Sequence, residues 1–382
     1  RTKTMYDAKM EELARQIVQY SVGLQPGENL LIESWDGADD MTAALIEAAY
    51  QAGGYPFVCR EDAAVQRRLL LGGSEESFRR RAEVELARME KMDACVMVRK
   101  MDNSSEYADV PAEKMTQFNL AMAPVKSRRM KHTKWCVLRY PNPSMAQMCR
   151  MSTEQFREYY FQTCVMDYEK MTQCAQPLND LLGRTDRVRI VGPGTNLDFS
   201  IKGQRGGPAF PNDTGCGRLN LPDGECSSCP VMGTVEGEIT YNVPTTYNGV
   251  TFQQIYFRFE KGKIVEAKGG SPILDEAVNQ ILDTDENARY IGEFSLGINP
   301  FVTHAIGDTL FDEKMWGTLH FTPGHSPSAV HWDIVLSQRP EDGGGELWFD
   351  DVLIRKDGLY LPKELRDLNP DEMVRLFRRK EG

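Results

Sequence analysis

Apolar positions in the first part of the chain recur at helical spacing, then at strand spacing, and the alternation repeats. Met10, Leu13, Ile17 and Val18 stand at helical spacing, and residues 29–34 then run as a strand. Met41, Leu45, Ile46 and Ala49 mark a second helix that ends at Gly53-Gly54, before a strand over 55–59. A charged helix over 74–91 precedes an apolar strand at 94–98, and 135–140 supplies a fourth strand. Helix and strand in turn predict an α/β domain with a mostly parallel sheet. No GxGxxG or GxxxxGK[ST] follows any of these strands, so a nucleotide-binding version would lack its phosphate cradle.

Tyr140-Pro141-Asn142-Pro143 breaks the rhythm. A long helix is expected next, opened by the capping box Ser152-x-x-Gln155 and running to about Leu182. Past Gly183 the pattern becomes strands and tight turns. Strands at 188–191 and 197–201 flank Gly192-Pro193-Gly194, and strands at 255–259 and 263–267 flank Lys261-Gly262. A helix carries Leu274, Val278, Ile281 and Leu282, and strands at 316–321, 329–336 and 347–354 follow. The expected organisation is an α/β domain over residues 1–183 and an α+β domain, largely antiparallel, over 184–382. A charged amphipathic helix is expected in the tail from Lys363.

Composition narrows the functional classes. The net charge of −11 disfavours a general binder of nucleic acid or membrane surface, both of which need a positive face. No apolar run reaches the length of a bilayer span. Nine scattered cysteines read as reduced thiols of a cytoplasmic protein, not as a disulfide framework. Cys226-x-x-Cys229, with Cys216 nearby, reads as buried thiols ahead of a structural zinc site, because no second pair accompanies it. The basic run Lys126, Arg128, Arg129, Lys131, Lys134 reads as a solvated loop ahead of a carboxylate-binding surface.

Histidine is scarce and clustered: four of five, His304, His320, His325 and His331, fall between 304 and 331. Read as a strand, Ser328–Leu336 puts His331 and Asp333 on one face, where an imidazole and a carboxylate can share a metal ion or form a hydrogen-bonded pair. His320 adds a second imidazole from another strand. Glu225 follows the tight turn Pro222-Asp223-Gly224, and Glu293 sits between Ile291 and Phe294, an apolar setting for a carboxylate.

These segments occur in order: Asn220–Glu225, Ile291-Gly292-Glu293, Gly317–His320 and Ser328–Asp333. With Gly192-Pro193-Gly194-Thr195, Phe199–Gly203 and Tyr140-Pro141-x-Pro143-Ser144, they resemble the motifs of the aminopeptidase T/aminopeptidase S family. The resemblance implies a homodimeric cytoplasmic metallopeptidase that cleaves N-terminal residues from peptides with two divalent ions, zinc, cobalt or manganese. By position it makes Glu225, Glu293, His320, His331 and Asp333 the ligands, one carboxylate bridging, with Glu225 or Glu293 also moving protons. One departure stands out. The family carries a tyrosine seven residues after its first histidine ligand, and here that position is Pro327, leaving His325 or a tyrosine from elsewhere to replace it. Two other readings stay open. His320, His331 and Asp333 alone suit mononuclear iron(II), as in ring-cleaving dioxygenases related to this family, and the lost tyrosine suits a metal-bearing binding protein without turnover.

Overall fold

The computed structural model describes residues 5–378 except 101, 104, 205, 206, 209–217 and 248. The chain forms two compact units, Arg1–Val165 with Phe210–Leu221, and Met166–Ala209 with Pro222–Gly382.

In the first unit, strands β1 (Asn29–Trp35), β2 (Tyr55–Glu61), β3 (Ala94–Arg99) and β4 (Lys134–Arg139) pair in the order β2-β1-β3-β4, all parallel. The strand Arg218–Leu221 extends the sheet beside β4. β1 and β3 read as continuous apolar runs because helices cover the sheet, and their central residues are buried. The capping box at Ser74 opens the helix Glu75–Met89. The helix Ala112–His132 occupies the stretch expected as a solvated basic loop. Arg129 instead pairs with the buried Glu33, and Lys134 is itself buried, pairing with Glu28 and donating to the Gly23 carbonyl at 3.0 Å.

The expected long helix is two helices, Thr153–Cys164 and Tyr168–Arg184. Ser152 caps the first as read from the sequence. Val165 then leaves the helical region, and the Asp167 side chain accepts from Lys170 N to start the second.

The second unit is built on two antiparallel sheets. The larger has eight strands and includes Thr195–Ser200, Glu236–Tyr241 and the hairpin Ile255–Glu260/Lys263–Lys268. The smaller runs in the order β8-β7-β6-β5, with β5 (Glu225–Ser228), β6 (Ile291–Gly297), β7 (Thr318–Pro323) and β8 (Val335–Ser337). Phe294 and Phe321 of the smaller sheet meet Phe199 of the larger, with ring centroids 5.1 and 5.0 Å from it, and Phe259 lies 5.9 Å from Phe321. One face of the smaller sheet is thus committed to an aromatic core. Strand alternation sends the intervening residues to the other face.

The stretch expected as a strand over 329–336 is regular only from Val335. Residues 330–334 still alternate buried and less buried positions, and Phe321 N donates to Ile334 O at 3.2 Å. The side-chain directions expected of a strand therefore survive without its ladder.

Among the described residues, no helix is long and apolar enough to cross a membrane. All eight described cysteines are free thiols, and Cys216 lies outside the described residues.

Candidate metal centre

The face of the smaller sheet opposite the phenyl rings gathers ionisable residues by register alone. Gly297 stands opposite Glu225, Ser295 opposite both Ser227 and His320, and Glu293 opposite Thr322. Glu225 of β5, Glu293 of β6 and His320 of β7 consequently share one patch. Their strands come from segments far apart in the chain.

His320 Nε2 lies 3.5 Å from Glu225 Oε2 and 3.6 Å from Glu293 Oε1. The other oxygen of Glu293 faces a different imidazole, with His331 Nε2 at 3.7 Å from Oε2. His331 Nε2 is in turn 3.3 Å from Asp333 Oδ1, which accepts from Thr322 Oγ1 at 2.8 Å. Donor atoms of Glu225, Glu293 and His320 all lie within 4.8 Å of one another, as do those of Glu293, His331 and Asp333. Tetrahedral ligands about 2.1 Å from one ion stand roughly 3.4 Å apart, so these spacings suit a divalent cation in each triad. The donors are hard carboxylate oxygens and imidazole nitrogens, the set that holds zinc, manganese or cobalt. A third overlapping group, Glu313, His320 and Asp333, meets the same distance criterion.

The sequence reading missed Glu313 and Lys314. Lys314 is 1% exposed and holds Glu225 Oε1 at 2.5 Å and Glu313 Oε1 at 2.7 Å. It reaches this position because its segment lies close over β6 at Gly297, where a Cβ would stand 2.2 Å from Met315 O. Asn299 fastens the arrangement, since its N donates to Lys314 O at 2.9 Å and its Nδ2 to Asp223 O at 2.7 Å. The stretch Asp312-Glu313-Lys314 looks in sequence like any solvated charge run, and its ion-pair partner Glu225 is remote in the chain.

Burial and charge act against each other throughout the cluster. Burial drives the Glu313 carboxyl upward, Lys314 resists, and Asp333 and Glu225 add to the rise. Burial likewise pushes Asp223 up to about 8, with Lys314 opposing and Glu225 reinforcing. For His320, burial disfavours the charged ring, but the Glu293 bond and the charges of Glu225, Glu293 and Asp333 outweigh it and push it up to about 10. Burial lowers the affinity of Lys314 for its proton, and the surrounding carboxylates more than restore it. The cluster has more negative than fixed positive charge, which is the balance a cation site requires.

Five of the six residues singled out from sequence converge here: Glu225, Glu293, His320, His331 and Asp333. His325 does not join them; it is half-buried, and its Nδ1 lies 3.1 Å from Ser326 O. Pro327 is exposed. Among the described residues, Tyr247 is a tyrosine beside His331 and Asp333. Burial first, and the Asp333 charge with it, raise its pKa. Its ring stacks on Trp332 with centroids 4.9 Å apart.

Residues 6–340 match the family described as thermophilic metalloprotease (M29). Aminopeptidase T of Thermus thermophilus is 24% identical over 93% of this chain and 95% of its own. Aminopeptidase 2 of Geobacillus stearothermophilus is 22% identical over 89% of each. Among solved structures, wild-type AmpT from Thermus thermophilus superposes with a TM-score of 0.75 at 22% identity, covering 94% of this chain and all of its own. A 2,5-dihydroxypyridine dioxygenase from Pseudomonas putida shares the fold, with a TM-score of 0.62 at 14% identity over 94% of this chain and 99% of its own.

Proposed function

Because the chain belongs to the thermophilic metalloprotease family M29, we propose that it is a metal-dependent aminopeptidase with a dinuclear centre on the smaller sheet of the second unit. In this reading Glu225, Glu293 and His320 hold one divalent ion, zinc, cobalt or manganese, and Glu293, His331 and Asp333 hold the other. The observation that carries it is the Glu293 carboxylate, whose two oxygens face two different histidines at 3.6 and 3.7 Å. A carboxylate so placed could serve both ions, as five ligands for two ions would require. Bound divalent ions would supply Lewis acidity toward a water and the scissile carbonyl.

The residues of the chain do the rest. Lys314 holds Glu225 Oε1 and Ser295 Oγ donates to Oε2 at 3.4 Å, so the Glu225 carboxylate is fixed in place within the site. Thr322 fixes the Asp333 carboxylate by its hydrogen bond. His331 is the exposed member, its side chain 60% accessible, and the acidic rim beside it suits the ammonium group of a peptide N-terminus. The catalytic work falls to residues 184–382, the expected second domain. A cytoplasmic homodimer belongs to the same proposal, and sedimentation and cell fractionation check its two parts.

The deciding experiment pairs elemental analysis of protein purified without chelator with hydrolysis of peptides bearing free or acetylated N-termini. About two divalent ions per chain and cleavage of the free peptide alone are expected. In Glu293→Gln both should fail, kcat falling by about a thousandfold. One iron per chain with oxygen uptake on an aromatic substrate would replace this reading by a mononuclear dioxygenase. Metal without turnover of either substrate would leave a binding protein.

A further inference from the structure

The first unit contains a cavity of about 440 Å³, lined wholly by its own residues. Its floor is one face of the parallel sheet. Alternate residues Glu33 and Trp35 of β1, Met97 and Arg99 of β3, Val137 of β4 and Glu61 of β2 all point into it. It lies toward the C-terminal ends of the strands. The order β2-β1-β3 also makes the space between β1 and β3 the point where the sheet winding reverses, and open α/β sheets bind ligands at such points.

Two features of the lining identify the ligand chemistry. The first is charge. Five cationic and three carboxylate side chains line the space. Glu33 is engaged by Arg129, Glu85 by Arg88, and Glu61 by Arg81 at 3.5 Å. Among the described residues, Arg99 is left with the second Glu33 oxygen, at 3.9 Å, and a weak contact to the Met97 sulfur. Burial and the nearby Arg129 and Arg139 charges lower its pKa despite Glu33, the mark of a cation short of negative charge. The second feature is unspent hydrogen bonding. Trp35 Nε1 and Tyr107 Oη are buried without a hydrogen-bond partner among the described residues, and both residues line this one cavity.

Between these polar groups the walls are soft and aromatic. Phe118 and four methionines, Met97, Met115, Met122 and Met130, face the space, and the Arg99 guanidinium lies 4.9 Å above the Trp35 ring. We propose that this cavity is a binding site for a small aromatic carboxylate, its ring among Phe118, Trp35 and the methionines and its carboxylate on the guanidiniums of Arg99 and Arg129. The proposal is independent of the metal centre, because none of its residues belongs to the second unit.

The test is calorimetric titration of the full chain with 2-naphthoate, with acetate and 2-naphthol as probes that keep only the charge or only the ring. Saturable one-to-one binding of 2-naphthoate, at least about tenfold tighter than either partial probe, is expected. Arg129→Lys keeps the charge opposite Glu33 but removes the planar guanidinium fork, and should weaken 2-naphthoate about tenfold. Phe118→Leu should do the same through the ring, and it carries the test if the arginine variant does not fold. The proposal fails if 2-naphthoate gives no saturable heat, or if acetate binds as tightly. It also fails if Glu293→Gln abolishes binding while Arg129→Lys and Phe118→Leu leave it intact, which would place the probe at the carboxylate cluster instead.

Discussion

The sheet face of the second unit gathers five carboxylates, Asp223, Glu225, Glu293, Glu313 and Asp333, around one lysine and two histidines. The cavity of the first unit gathers five cations around three carboxylates. Both regions sit on a sheet, and in both the charges of the strands are completed by residues from helices or connecting segments packed against it. They differ in which charge is in excess and in how the excess is held. In the second unit a single buried ammonium is locked between two carboxylates, so the surplus is fixed and negative. In the first, the guanidiniums of Arg81, Arg88 and Arg129 take one carboxylate each, and the surplus is Arg99, 30% accessible, and the exposed Lys126. Sign of excess charge predicts the ligand, and rigidity of its compensation predicts the cost of disturbing it.

The sharpest way to break the comparison is Lys314→Met. It strips the buried ammonium from Glu225 and Glu313 and should cost about 3–5 kcal/mol, read as a drop in the urea midpoint of the metal-free protein. Loading with divalent metal should recover part of that loss. Equal stability with and without metal would show that the carboxylates are not awaiting a cation. The matching change in the other region, Glu33→Gln, should cost only about 1–2 kcal/mol because Arg129 and Arg99 retain solvent contact. It should also tighten 2-naphthoate a few-fold by freeing two guanidiniums, and weaker binding would reverse the reading of the cavity.

A pH-dependent effect concerns Asp312, a buried carboxylate held by backbone N–H groups of Ile306 and Gly307 at 2.7 and 3.0 Å, with no cation among its described partners. Burial pushes it up to about 8, against an ordinary value near 3.8. A folded carboxyl that binds its proton more tightly than the unfolded one loses stability as pH climbs between those two values, and the loss levels off above the higher. Urea midpoints at pH 5 and pH 8 should therefore fall for the parent chain, and fall less for Asp312→Asn.

Periodicity exposed the parallel sheet of the first unit because its strands are apolar runs separated by amphipathic helices, both local signals. It also placed His331 and Asp333 on one side, since alternation persists where the ladder does not. The break at Val165 escaped it because the Asp167 cap is too modest to stand out inside a long helical pattern. The strand Arg218–Leu221 escaped because it joins a sheet whose other strands precede residue 140. Lys314 escaped for the same reason on the level of charge. Whether a lysine is solvated or buried depends on which carboxylate the fold delivers to it, and no spacing rule records a pairing of Lys314 with Glu225. The convergence of Glu225, Glu293 and His320 was legible only through motif order, not through any physical pattern in the chain.

The two-sided character of the smaller sheet has a consequence for how the chain reaches its native state. Phenyl rings at 294 and 321 fill one side, and Glu293 and His320, one position away, occupy the other. If β6 and β7 slipped by a single residue during assembly, a carboxylate and an imidazole would be driven into the space among Phe199 and Phe259 and the rings would be turned out to water. Mispaired intermediates of that kind are costly on both faces at once. The residues that define the site therefore also act as proofreaders of strand pairing, and the correct alignment wins before any substrate is met.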